Sequence, residues 1–99
     1  MSNQYASGNW VVNPGREQEF IARWMEFLEW TRASSPGLDS ARLIQESEDP
    51  RHFISFATWD SADAMRVWRS QPEFANKLAA CRELCQDFRG SSYTVAAAV

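Results

Sequence analysis

The stretch His52-Phe53-Ile54-Ser55-Phe56-Ala57-Thr58-Trp59 constrains the fold more than any other part of the chain. Its β-branched and aromatic residues read as a strand, and successive side chains of a strand point to opposite faces. One parity is Phe53, Ser55, Ala57 and Trp59; the other is His52, Ile54, Phe56 and Thr58. Neither is consistently polar. A sheet with one face in water alternates apolar and polar residues, so this strand is expected to be covered on both sides. With 99 residues the chain forms one domain, over 1–99, and has room for two or three helices, enough to cover one side. A second copy of the protein is the expected cover for the other, which predicts a homodimer.

The flanking segments supply the rest of the sheet and its helices. Ala6 to Val12 reads as the first strand, closed by the turn signal Asn13-Pro14-Gly15. From Arg16 to about Ala33, Phe20, Ile21, Trp24, Phe27, Leu28 and Thr31 fall on one side of a 3.6-residue wheel, and Glu19, Arg23, Glu26 and Glu29 on the other. Trp30 lies among the charged residues and is a candidate subunit contact. Ser34-Ser35-Pro36-Gly37 stops this helix, since proline disfavours helical geometry in the residue before it. A second strand runs from Leu38 to about Ser47, and the turn Glu48-Asp49-Pro50 joins it to the third as an antiparallel hairpin. Ser61 to Arg69 reads as a short helix carrying Ala64, Met65 and Trp68. Ser70-Gln71-Pro72-Glu73 has capping-box spacing, which starts a further helix with the stripe Phe74, Leu78, Cys81, Cys85 and Phe88, ending near Gly90. Tyr93 to Val99 is the expected last strand. The order is βαββαβ, with the last helix split. It predicts an α+β, ferredoxin-like unit with helices on one face of a four-stranded antiparallel sheet, and two such sheets packed face to face make a dimeric α/β barrel.

Charge and composition exclude several function classes. Ten Lys and Arg against thirteen Asp and Glu give a net charge of −3 with no basic cluster, which argues against nucleic-acid binding. No run approaches the roughly 18 apolar residues of a membrane span. The start Met1-Ser2-Asn3-Gln4 lacks the regions of a secretory signal, so the expected compartment is the cytoplasm. One histidine and the two cysteines Cys81 and Cys85 are too few soft ligands for a zinc site within one subunit, and the cysteines read as structural thiols. Five Trp, six Phe and two Tyr fill a core or line an apolar cavity. Ser55 and Ala57 favour the cavity: they are small residues on the parity of Phe53 and Trp59, where a packed core would carry larger ones.

Several segments, taken together, resemble the antibiotic biosynthesis monooxygenase family. They are Val11-Val12-Asn13-Pro14-Gly15-Arg16-Glu17-Gln18-Glu19-Phe20, Trp24, Ser35-Pro36-Gly37, Asp49-Pro50-Arg51-His52-Phe53, Thr58-Trp59-Asp60-Ser61 and Trp68-Arg69-Ser70-Gln71-Pro72-Glu73-Phe74. The resemblance implies small dimeric oxygenases that act without a cofactor on electron-rich phenols such as polyketide anthrones. It places Trp59 at the pocket between sheet and helices. Ser55 stands where those enzymes have asparagine, Met65 where they have tyrosine, and Leu78 near their pocket arginine. Trp59, Ser55 and Asn9 are therefore the candidate catalytic residues, Asn9 as a hydrogen-bond donor to a substrate oxygen. Phe20, Trp24, Met65, Trp68 and Phe74 are the candidate walls of a substrate site that takes a small apolar aromatic molecule and O2, with no cofactor and no metal. His52 is the one side chain that titrates near neutrality, but its parity is opposite to that of Trp59. Two alternatives remain. One is a non-catalytic dimeric barrel with a ligand-binding or stress-related accessory role. The other is haem degradation, which Trp68 and Phe74 resemble but which would place its iron ligand at Leu78.

Overall fold

A computed structural model describes residues 3–99. Strand β1 (Gln4–Val12) turns inward Ala6, Gly8, Trp10 and Val12, all buried, while Tyr5, Ser7, Asn9 and Val11 take the opposite face. Asn13, Pro14 and Gly15 reverse the chain, and Gly15 adopts φ 83, a left-handed conformation that costs glycine little. Helix α1 (Glu17–Ser34) then runs back across the sheet with Phe20, Trp24, Phe27 and Thr31 buried, at the spacing of one helical face. Its first turn carries Glu17 and Glu19 and its last Arg32, each matched to the helix dipole. Trp30 is half-buried against Phe27 at 6.2 Å between ring centroids, at the edge of the core.

Strands β2 (Leu38–Gln45) and β3 (His52–Trp59) pair antiparallel as the expected hairpin. The sheet order is β2-β3-β1-β4, with β1 antiparallel to both of its neighbours. This is a ferredoxin-like α+β fold. Helix α2 (Ala62–Ser70) is capped by the Ser61 hydroxyl, which accepts the Ala64 N–H at 3.1 Å. Helix α3 (Pro72–Arg82) starts with proline at its first position, where a missing N–H costs nothing. The capping box expected at Ser70 and Glu73 does not form. The N-cap is Gln71, and the Ser70 hydroxyl donates to the Val67 carbonyl of the preceding helix at 2.7 Å.

The C-terminal third departs from expectation. Instead of continuing to Gly90, α3 stops at Arg82, and strand β4 spans Cys85–Thr94, leaving Val95 to Val99 outside the regular elements. The physical reason is the open edge of β1, whose backbone groups from Gln4 to Val12 find partners in Thr94 to Cys85. Leu84, 2% exposed, fills the corner between the two elements. The interval from Cys81 to Cys85 to Phe88 imitates a helical stripe, yet Cys81 belongs to a helix and Phe88 to a strand, where it packs on Trp10 at 4.2 Å.

All three helices pack on the sheet face bearing Trp10, Phe53, Ser55 and Trp59. Phe20 is wedged between Trp10 and Phe53 at 5.1 and 5.0 Å, and Trp68 lies on Trp59 at 4.7 Å. Each of these rings, removed from water, contributes about 1.5–3 kcal/mol of hydrophobic stabilisation. The opposite face carries Tyr5, Ile44, Ile54, Phe56 and Tyr93 and no helix among the described residues, with Ile44 46% and Tyr93 57% exposed and the other three half-buried.

Candidate active site

A cavity of about 430 Å³ lies between the sheet and the helices. It exists because the sheet presents small residues there: Ala6 and Gly8 on β1, Ser55 and Ala57 on β3, Ala41 on β2 and Gly90 on β4. Trp24, Phe27 and Leu28 from α1, Trp68 from α2, and Phe74 and Leu78 from α3 form the opposite wall. Its volume falls within the roughly 300–1,000 Å³ of small-molecule sites.

Two indole N–H groups organise the polar part of this lining. Trp10 Nε1 donates to Ser55 Oγ at 3.0 Å, in a buried bond that ties β1 to β3. Gly8 makes the approach possible: a Cβ at that position would stand 2.6 Å from Trp10 Nε1 and 2.8 Å from Ser55 Oγ. Since Ser55 Oγ accepts from Trp10, and no described residue accepts its proton, that hydroxyl can donate into the cavity. On the other wall Trp68 Nε1 donates to Thr31 Oγ1 at 3.0 Å, and Thr31 donates in turn to the Phe27 carbonyl at 2.9 Å. Both protons of that chain are committed. It holds the Trp68 ring in place and offers a ligand no free donor.

Arg69 is the one ionisable side chain among the described residues that line the cavity. It extends from the last turn of α2, passes 5.9 Å from the Trp68 ring and donates to Ser92 Oγ on β4. Burial draws its guanidinium below the ordinary value of 12.5, which leaves it a cation at neutral pH. The groups that can meet a substrate oxygen within this aromatic wall include the Ser55 hydroxyl at the floor and the Arg69 guanidinium with the Ser92 hydroxyl at the rim.

The residues expected from sequence divide between this cavity and other parts of the molecule. Ser55, Trp24, Trp68 and Phe74 line it. Trp59 does not: it is fully buried one ring behind Trp68, and its indole N–H has no partner among the described residues. Phe20 and Met65 are packed core beside the cavity and do not line it. Asn9 is corrected more fundamentally, because it projects from the opposite face of the sheet, where its Oδ1 meets His52 Nε2 at 2.8 Å. His52 Nδ1 contacts Glu46 Oε1 at 2.7 Å, so the lone histidine is also outside the cavity. Leu78 lines the cavity at the position where haem degradation would need an iron ligand. Among the described residues no three His, Cys, Asp or Glu side chains are grouped to hold a metal ion, and no helix is long and apolar enough to cross a membrane.

Trp10, Phe27, Thr31, Arg69 and Ser92 are among the site residues that sequence reasoning missed. Trp10 shares a parity with Gly8 and Val12, so its inward direction was accessible from strand alternation. Arg69 gave no such signal, because its role depends on β4 passing the end of α2.

Residues 5–80 match the antibiotic biosynthesis monooxygenase family. No curated protein matches the sequence significantly. Among solved structures, a mutant of SnoaB, a cofactor-independent oxygenase from Streptomyces nogalater, is similar with a TM-score of 0.89 at 21% identity, covering 100% of this chain and 98% of that one. A protein of Bordetella bronchiseptica, assigned as an antibiotic biosynthesis monooxygenase, is similar with a TM-score of 0.81 at 17% identity, over 98% of this chain and 100% of that one. A conserved protein of Methanosarcina mazei has a TM-score of 0.82 at 18% identity, over 95% and 93%. At these identities the structural likeness shows the shared fold.

Proposed function

Because the chain belongs to the antibiotic biosynthesis monooxygenase family, we propose that it is a cofactor-independent monooxygenase acting on a small apolar aromatic substrate of phenolic, quinol or polyketide type. The observation that carries this reading is the aromatic cavity with the free Ser55 proton and the Arg69 guanidinium as its ligand-directed polar groups. Among the described residues no carboxylate or imidazole lines it, so the substrate must be acidic enough to ionise with little help from a protein base. A delocalised carbanion of this kind gives an electron to O2, and recombination of the two radicals forms a carbon–oxygen bond. The peroxide anion takes a proton and then loses water, so that a CH2 group and O2 become a carbonyl and H2O. Ser55 supports the developing oxyanion, Trp10 fixes Ser55, and the rings exclude bulk water. A second copy covering the exposed sheet face completes the proposal, and sedimentation should then give a homodimer.

Oxygen uptake with an anthrone and a dihydroquinone tests the activity. Ser55→Ala should slow turnover at least about tenfold, in line with removal of one oxyanion donor. Rates equal to buffer across a broad panel would overturn the proposal. The absence of a lining base favours a second reading, a ligand-binding barrel without turnover, which would show as tryptophan quenching by ligands that are never consumed.

A further inference from the structure

A guanidinium that lines an apolar cavity needs an explanation, because partial loss of hydration is costly for a charge without a partner. Several other arginines are accounted for: Arg16 and Arg23 pair with Glu19, and Arg66 pairs with Asp63. Arg69 has no carboxylate within ion-pair distance among the described residues, and its one hydrogen-bond partner there is the neutral Ser92 hydroxyl. Arg51, half-buried and likewise without a carboxylate, is held by the Val12 carbonyl and the Gln86 amide oxygen and lies away from the cavity. Arg69 stands exposed at the rim of a cavity in which no described lining residue is an acid.

From this arrangement we infer that Arg69 is a specificity residue, and that the substrate carries an anionic oxygen group, a carboxylate or an ionised phenol, held at the Arg69–Ser92 rim while its rings lie between Trp10, Phe27, Trp68 and Phe74. Several observations agree with this. Arg69 is anchored from both sides, by α2 covalently and by β4 through Ser92, so its fork is held ready for bidentate contact. Arg69 is on balance exposed, so the anion can keep part of its hydration while it is paired. Ser55, buried on β3, is left to meet the other end of the molecule. The cavity thus has a charged rim and a neutral hydrogen-bonding floor, and it selects a flat aromatic molecule by the acid at one end.

The inference deepens the proposed function and rests on the cavity being the substrate site. Its test reads binding instead of turnover, so that failure of the oxygenase reading and failure of this one are separable. Three probes are titrated by tryptophan fluorescence: an anthraquinone carboxylate, its primary carboxamide, and a hydroxyanthraquinone followed through its own ionisation. The carboxylate should bind about tenfold or more tighter than the carboxamide, as a charge-assisted contact requires. Raising the ionic strength should shrink that preference in the unmodified protein. Arg69→Gln should abolish the preference and leave carboxamide affinity unchanged, while Arg66→Gln, on the exposed side of α2, leaves both as they were. Tightening of the hydroxyanthraquinone as it ionises assigns a phenolate end; preference confined to the carboxylate assigns a carboxylate end. Equal affinities for carboxylate and carboxamide, or equal weakening of both in Arg69→Gln, would overturn the inference.

Discussion

Gly8→Ala should be among the most damaging single-methyl additions this chain can suffer, although the site is a strand interior where alanine is not disfavoured over glycine. The new Cβ would lie 2.6 Å from Trp10 Nε1, 2.8 Å from Ser55 Oγ and 3.0 Å from Trp10 Cε2, all short of the 3.4 Å at which ordinary contact begins. The indole has little room to give way. Trp10 is 2% exposed and is held between Phe20 at 5.1 Å and Phe88 at 4.2 Å. Overpacking of this kind costs about 1–3 kcal/mol. If the rings hold their places, the Trp10–Ser55 bond breaks and leaves a buried donor unsatisfied, at about 1–3 kcal/mol. Together these give about 2–6 kcal/mol, a large share of a typical stability of about 5–15 kcal/mol. Urea unfolding followed by tryptophan fluorescence measures it, with Gly15→Ala as the comparison. A methyl added at Gly15 would meet nothing within 4 Å, and the φ of 83 there predicts a loss of only about 1 kcal/mol from backbone strain. A Gly8→Ala loss below that of Gly15→Ala would refute the argument that the close approach of Trp10 and Ser55 depends on a missing side chain.

Two further outcomes follow from the same contacts. Thr31→Val should destabilise the protein by about 1–3 kcal/mol in urea unfolding, because it strands the buried Trp68 N–H while conserving volume, and Trp68→Phe in that background should cost less than Trp68→Phe alone. Burial pushes the Cys81 thiol up to about 12 and that of Cys85 up to about 11 from an ordinary 9.0. Iodoacetamide at pH 8 should therefore label the native protein far more slowly than the urea-unfolded chain. Thiols raised in the folded state add stability that is whole below pH 9 and is lost as pH climbs towards 11 and 12, so the urea midpoint should fall across that window, and less steeply in Cys81→Ala.

Much of the fold was legible in sequence because its signals are local. The helical face of Phe20, Trp24, Phe27 and Thr31 and the strand His52–Trp59 both appear where their periodicity places them. The turn at Asn13, Pro14 and Gly15 depends on residues that need no distant partner. Where local signals conflicted, tertiary pairing decided. Cys81, Cys85 and Phe88 satisfy a helical period, but β1 required a neighbour along nine residues and the chain supplied it from Cys85 onward. The weak alternation of β4 hid this, since Gly90 and Ser92 face inward opposite Gly8 and Ala6 without large apolar side chains to mark them.

The candidate site divides in the same way. Strand parity alone put Ser55 on the helix-covered face, and its small size marked a place where a core could stay open. Parity likewise separated His52 from that face, and the contact of Asn9 with His52 follows from the register in which Val11 opposes His52. What alternation cannot supply is depth. Trp59 and Trp68 are both buried aromatics of the right type and spacing, yet Trp68 faces the cavity and Trp59 lies behind it, because that outcome depends on where α2 settles on the sheet. Arg69 reaches the cavity only because β4 brings Ser92 beside the end of α2. Sequence determined which side chains share a face, a property of dihedral period along a few residues; only the packing of elements distant in the chain decided which of them surround an empty space and which charge stands at its rim.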